Sequence, residues 1–416
     1  MVSALGMTAV LGGCGSTASS GVTLKLVAAD YGDLPANSSK KYWDALVGAY
    51  EAEHPGVRVQ VSVYPWKDVD REVEEMVDAG HAPDLAQTDT YADYAAAGEL
   101  YPASDLLPIR TQADFVEQLA EAGQWNHTQY GIPFAASTRV LFYNKTLFAE
   151  AGITPPTDWA ELAADAAALK AEGVPYPYAL PLGPEEAQAE TMQWLLGGGG
   201  DYTDDIGSYT IDSDQNVRTF TWLKDELVDK GLTGPVAPGR LNRADAFAAF
   251  ADGRVGMLDG HPALAQQAAK KGVKFGMVPV PGRTGGAGVP LGVTDWITGF
   301  RQNGHAEQIG DFLNYVYAKK NVLGFCRRYG LLPVTASASF AMSTSDTEPD
   351  KSLRPFLRQL PTSEMYPVGK STWAAVSAAV KKEIGDAVAP GNSPSAVLTR
   401  LQAAAAAADS TAAAGG

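Results

Sequence analysis

The chain is poor in the residues on which most cross-linking and catalytic chemistry depends. Two cysteines, Cys14 and Cys326, and five histidines are spread over 416 residues. Two cysteines that far apart make no disulfide framework. His54, His81, His127, His261 and His305 show none of the spacings that zinc ligands adopt. A Gly-x-Ser-x-Gly elbow and a His-Glu-x-x-His helix are both missing, so neither a serine hydrolase nor a zinc protease is indicated. Lys and Arg total 32 against 48 Asp and Glu, and the net charge of −16 comes with no basic run that could hold phosphate. That excludes a nucleic-acid partner. No stretch offers the roughly 20 apolar residues that a membrane-spanning helix requires.

What is present reads as an α/β protein of two lobes. At 45% hydrophobic and 19% charged the composition is globular, and 416 residues exceed what one compact core holds. The clearest local signal is 131–161. Residues 140–143 (Val-Leu-Phe-Tyr) form a continuous run of strand formers, Asn144 is suited to cap the helix that follows, and Gly152 stops that helix. Thr157, after Pro155 and Pro156, is expected to cap a second helix, with Asp158 and Glu161 where its first free amides lie.

The same alternation extends along the chain. A strand at 24–28 is followed by Trp43, Leu46, Val47 and Tyr50 at helical spacing, a break at His54-Pro55-Gly56, and Val57, Val59, Val61 and Val63 at strand spacing. Strand, helix and strand within some forty residues make a parallel crossover unit. Asp68 is expected to cap the next helix, which ends near Gly80. Strands are expected again at 255–258, 275–280 and 290–300, a long amphipathic helix carries Ile309, Phe312, Leu313 and Val316, and the last sizeable helix spans 373–388 with a final helix after it. Residues 403–416, rich in Ala, Ser and Gly, read as a flexible tail. In this doubly wound architecture ligands sit beyond the carboxyl ends of strands.

Several partial motifs fail. Gly369-Lys370-Ser371 ends like a phosphate loop, but Glu364 stands where the first glycine belongs. Asp212, Asp214 and Asn216 begin like a calcium loop, yet Val217 replaces the turn glycine and Leu223 the last ligand. No metal site and no cofactor is expected.

Specific blocks in order resemble one family. The short apolar stretch 2–11 followed by Leu11-Gly12-Gly13-Cys14 resembles a bacterial lipoprotein signal, although no Lys or Arg precedes it. Ala82-Pro83-Asp84-Leu85, Ala97-Gly98-Glu99-Leu100, Phe142-Tyr143-Asn144-Lys145, the stretch 248–260, Val278-Pro279-Val280-Pro281 and Gly330-Leu331-Leu332-Pro333 follow. Together they resemble extracellular solute-binding proteins of family 1, the maltose-binding-protein-like receptors of sugar importers. The resemblance implies two doubly wound α/β lobes, 23–135 with 292–334 and 136–291 with 335–402, joined by hinge strands around an interlobe cleft. It also implies a signal peptide 1–14 ending at a lipidated Cys14, a tether 15–22, and a monomer held by its lipid on the outer face of the cytoplasmic membrane. Its partners would be a sugar or short oligosaccharide and the transmembrane subunits of an ABC permease.

A sugar presents an apolar CH face and a rim of hydroxyls, so its site needs flat aromatic rings beside charged groups. Trp66, Trp296 and Trp373 fall at element ends that face one cleft. Trp43, Trp159 and Trp222 fit core stripes, and Trp194 fits either role. Carried over residue by residue, the resemblance adds Thr88, Asp89 and Tyr91 from one loop, Ser137 with Arg139, and Asp259 with His261 from another. Asp295 adjoins Trp296. At Ser137 the maltose-binding member carries a glutamate. The alternative readings are a secreted carbohydrate-active enzyme using paired carboxylates such as Asp89 and Asp259, and a receptor of the same fold for another solute.

Overall fold

The computed structural model describes residues 21–32 and 37–415; Cys14 and most of its tether lie outside them. Among the described residues eleven strands run in chain order: β1 (Val22–Asp30), β2 (Val57–Pro65), β3 (Leu85–Thr88), β4 (Gln124–Trp125), β5 (Thr128–Gln129), β6 (Ile132–Thr138), β7 (Val140–Asn144), β8 (Tyr176–Tyr178), β9 (Val255–Gly260), β10 (Phe275–Val278) and β11 (Gly292–Gly299). One sheet has the order β2-β1-β3-β11-β6, a second the order β10-β7-β9-β8, and β4 with β5 forms a small ribbon.

The first sheet begins as the expected crossover. β1 lies parallel to β2 with Val22 opposite Val57 and Asp30 opposite Pro65, and parallel to β3. The helix Ser39–Glu53 links β1 to β2, capped by the Ser38 side chain and burying Trp43, Leu46, Val47 and Tyr50. The next helix, Trp66–Asp78, starts three residues earlier than expected. Its cap position is Pro65, and Asp68 stands in the first turn, where its charge meets the free amides instead of capping them. Asn144 does cap the helix Lys145–Ala151 by accepting from the amides of Thr146 and Leu147, and Gly152 ends it at φ 67°. At the following helix, Trp159–Ala171, the capping acceptor is Asp158 and not Thr157. The Thr157 hydroxyl donates to the Glu161 carboxylate while Asp158 accepts from the Glu161 amide.

The chain passes between the two sheets in several segments. β6 closes the first sheet and β7 opens the second with Arg139 alone between them; the segment after β10 returns to β11. A third passage runs through Leu332, whose amide donates to Ala136, and the helix Asp350–Leu357, where Phe356 O accepts from the Thr138 hydroxyl. β11 runs antiparallel to β3 and β6, with Trp296 opposite Thr88 and Gly292 opposite Thr138. Its amino end therefore shares an edge with the carboxyl ends of β1, β3 and β6. In the second sheet Val140 lies opposite Gly260, which sets Arg139 and the carboxyl end of β9 at the edge facing the first sheet.

The C-terminal helices Trp373–Glu383 and Pro394–Gly415 pack on Ala187–Gly197 and Asp214–Trp222 beside the second sheet. The stretch 403–415 differs from the expected fraying tail, because it completes the last helix. Ala405 is fully buried and Asp409 accepts from the Thr372 hydroxyl at 2.6 Å. Cys326 is a buried free thiol. Among the described residues no helix is long and apolar enough to cross a membrane.

Candidate binding site

The facing sheet edges bring chemically matched side chains onto two walls. On the first wall Tyr31 directly follows β1, Trp66 opens the helix after β2, Asp89 follows β3 and Asp295 lies in β11 at a register shift. The Tyr31 phenol donates to Asp295 Oδ2 at 2.8 Å, and its ring meets Trp66 edge-on with centroids 5.3 Å apart. Asp70, one turn into the Trp66 helix, accepts the Asp89 amide at 3.0 Å. Burial is the first cause that lifts these acids: Asp295 rises to about 8 despite the Tyr31 bond, Asp70 to about 7, and Asp89 above the ordinary carboxylate range.

The second wall is an ion network. Arg139, 1% exposed, donates to Glu186 at 3.1 Å with Glu190 at 3.6 Å. Arg243 holds Glu185 at 2.6 Å and Glu186 at 2.7 Å, and its Nη1 lies 3.2 Å from His261 Nε2. Burial works against the Glu186 charge, but Arg243, Arg139 and Lys381 outweigh it and hold that carboxyl below its ordinary range. Burial wins at Glu190, which rises to about 8, and at Asp259, which rises to about 7 although Tyr178 donates to it at 3.0 Å. His261 stays neutral through burial and the neighbouring Arg139 and Arg243, and its Nδ1 caps the helix Pro262–Lys270.

The walls act on each other across the cleft. Lys381 and Glu186 both influence Asp89, and Glu186 influences Asp295. Burial is the first cause that lifts the Tyr366 phenol, and Arg139, Glu186 and Asp89 are among the charges that act on it. The cavity of about 290 Å³ lined by Val77, Ala82, Phe300, Arg301 and Gln302 opens elsewhere on the first lobe and shares no residue with these walls.

Not every residue expected at the site lies on a wall. Trp66, Asp89, Asp295, Arg139, Asp259 and His261 do. Thr88 and Ser137 are buried at the ends of β3 and β6. Tyr91 is fully buried and its phenol donates to Ala122 O and Gln124 O, so it serves the fold. Trp296, 1% exposed, packs edge-on to Tyr91 in the same core. Trp194 joins Trp159, Trp222 and Tyr178 in an aromatic cluster. Trp373, 2% exposed, stacks behind Tyr366 at 5.8 Å and 22°. Tyr31, Asp70, Glu186, Tyr366 and Lys381 went unmarked in the sequence. Tyr31 and Asp70 carried a usable signal, since each adjoins a strand end or helix start already assigned to the cleft.

A family model of bacterial extracellular solute-binding proteins matches residues 45–349. The chain belongs to that family. This solute-binding protein is 25% identical over 349 residues to an uncharacterized lipoprotein of the oleD 5′ region of Streptomyces antibioticus, spanning 79% of this chain and 74% of the relative. It is 24% identical over 258 residues to the arabinooligosaccharide-binding protein of Bacillus subtilis, spanning 59% of this chain and 57% of the relative. The crystal structure of the cyclic alpha-maltosyl-1,6-maltose binding protein from Arthrobacter globiformis superposes with a TM-score of 0.77 at 24% identity, over 93% of this chain and 99% of that one. The two-lobed periplasmic-binding-protein fold follows from that likeness.

Proposed function

We propose that this solute-binding protein captures a sugar or short oligosaccharide between its lobes and delivers it to the permease of an ABC importer. The observation that carries the reading is the facing of Tyr31, Trp66, Asp89 and Asp295 against Arg139, Glu186 and Tyr366. Rings cover the CH face of a pyranose, while carboxylates and guanidinium groups hold its hydroxyls by strong directional bonds. The arabinooligosaccharide-binding relative supports the ligand class.

A ligand touching both walls stabilises the closed arrangement, and the permease recognises that arrangement. The lobes divide near 135/136, 291/292 and 334/335. Cys14 carries the lipid that holds a monomeric receptor on the outer face of the cytoplasmic membrane. The protein makes and breaks no covalent bond in its ligand.

A thermal-shift screen over mono- and oligosaccharides, followed by calorimetry and product analysis, tests this. A true ligand at a hundred times its dissociation constant adds roughly 2.7 kcal/mol and is recovered unaltered. Stabilisation by no saccharide overturns the ligand class, and a cleaved product overturns the receptor role.

A further inference from the structure

The last helix, Pro394–Gly415, ends in contact with the segment 364–372, which leads into the helix Trp373–Glu383. Asp409 Oδ1 accepts from the Thr372 hydroxyl at 2.6 Å, and Oδ2 accepts from the Lys370 ammonium at 3.2 Å. With its own proton given to Asp409, Thr372 receives that of the Tyr209 phenol, 3.1 Å away. The Lys370 ammonium also lies 4.7 Å from the centre of the Tyr209 ring. Thr372 is 8% exposed, so its bond is shielded from water, whereas the Lys370 and Asp409 pair is part-exposed and screened. Earlier in the same helix Gln402 accepts from the Ile211 amide and donates to Tyr209 O, both at 2.7 Å.

The other side of this segment meets the first sheet. Its start is fixed at β11, where the Gly292 amide donates to Glu364 O at 2.9 Å. A Cβ on Gly369 would lie 2.5 Å from Gln124 O and 3.6 Å from the Tyr91 phenol, an approach that only glycine permits. Gln124 opens the ribbon β4–β5, and the ribbon is tied to the first sheet through Tyr91, which donates to Gln124 O at 3.0 Å and packs on Trp296 of β11. Val368, beside Gly369, is 4% exposed. Successive turns leave the segment little slack: the Lys370 amide donates to Pro367 O at 2.9 Å and the Trp373 amide to Lys370 O at 3.0 Å.

We propose that Asp409 is the positioning residue of an interlobe latch: by holding Thr372 and Lys370 it keeps Gly369 seated on the Gln124 carbonyl, so the end of the chain fixes how the two lobes meet in the ligand-free protein. The inference goes beyond the saccharide reading above and rests on it only in taking the two lobes as parts that move against each other. Thr372 and Gly369 are three residues apart in a run of tight turns, so releasing the hydroxyl releases the glycine. The seat at Gln124 is a close approach and not a charged bond, so it lasts only while the segment is fastened from behind. A charged acceptor at the end of the chain Tyr209, Thr372, Asp409 strengthens each bond before it, which makes position 409 the one that decides.

Hydrogen exchange on the full-length, ligand-free protein tests the latch. Asp409→Ala should speed exchange at least about tenfold in residues 366–373 and also in the ribbon, residues 124–130, the weight of one hydrogen bond to a charged group. Exchange in β7 and β9 should stay as in the wild type. Thr372→Val removes the same bond from its other end and should give the same pattern, which decides the matter if the alanine variant does not fold. The double variant should add little to either change alone. Gly369→Ala, whose Cβ must displace the Gln124 carbonyl, should speed exchange in the ribbon and enlarge the radius of gyration in small-angle scattering. Faster exchange in 366–373 with an unchanged ribbon makes Asp409 a brace within its own lobe and overturns the latch. A uniform rise across both sheets marks general loss of stability and overturns it equally, as does an unaltered ribbon in Gly369→Ala. Because no ligand enters the measurement, failure of the saccharide reading leaves its result standing.

Discussion

The phenol of Tyr31 donates a 2.8 Å hydrogen bond to Oδ2 of Asp295, joining the end of the first strand to a strand 264 residues later. The bond fixes the two at one sheet edge and leaves the carboxyl half-buried beside Asp89 and Asp70. Its pKa of about 8 has burial as its first cause, with the like charges of Asp89, Glu186 and Asp70 adding to it and the Tyr31 bond opposing.

That carboxyl and its neighbours make unliganded stability depend on pH. Asp295 and Glu190 rise to about 8, and Asp70 and Asp259 to about 7. In the unfolded chain each titrates near its ordinary value of roughly 4. Between about pH 4 and 8 the folded state therefore binds more protons, and the stability these groups contribute is lost as pH rises through their folded values. Thermal melts of the free protein should fall by a few degrees from pH 5 to 8.5, and Asp295→Asn should make the slope shallower. A melting temperature that rises over this range contradicts the assignment.

The Tyr366 and Trp373 stack separates a platform from its support. Tyr366→Ala should weaken ligand binding by about 1–3 kcal/mol in calorimetry with little change in melting. Trp373→Ala, which empties a buried indole site, should cost about 3–5 kcal/mol of stability in denaturant titrations. The reverse pattern would move Trp373 onto the cleft.

How far the sequence could lead is clear from these same residues. Strand and helix periods, the Asn144 cap and the Gly152 stop follow from local chemistry, and the structure agrees with each. Thr157 and Asp158 are both good caps, and only the geometry selects Asp158. Tryptophans were the harder case, because an indole at an element end is equally suited to a cleft or to the core just behind it. Trp296 and Trp373 went to the core since Gly131 and Tyr366 stand in front of them, contacts made by residues 165 and 7 positions away that no local period reports. Glu186 was invisible for a related reason: its partners Arg139 and Arg243 are distant in sequence.

Arg139 is the sole residue between β6 and β7, so its ion pairs tie the connection between the two sheets to the second wall. Arg139→Met should cost about 1.5–3 kcal/mol in urea unfolding, because Glu186, held charged by Arg243, Arg139 and Lys381, loses the buried guanidinium that bonds it at 3.1 Å. Arg139→Lys should not restore stability fully, since one ammonium cannot span both carboxylates as the guanidinium fork does. Wild-type stability in the methionine variant would show the pair to be dispensable.

The proposed lipid anchor is Cys14, which lies outside the described residues. Cys14→Ala should release the protein from the membrane fraction and abolish labelling by radioactive palmitate in cells. Membrane retention of the alanine variant would require another means of attachment.

The mechanism as a whole stands on ligand reaching both walls. Asp89 and Asp295 rise from one sheet and Arg139, Glu186 and Tyr366 belong to the other side, so a ligand confined to one wall gives the lobes no reason to close. Ligand that spans them stabilises closure by its added contacts. Small-angle scattering should therefore show a smaller radius of gyration at saturation. Tryptophan emission should shift in parallel, since Trp66 lies half-buried on the first wall. The upper limit on the change is set by the free protein, because a population already closed contracts no further. Substituting Gly for Tyr366 and Glu186 together should remove the contraction while leaving first-wall contacts in place. An unchanged radius with ligand bound to the wild type, as proven by calorimetry, would mean a rigid site on one lobe and would remove closure as the signal read by the permease.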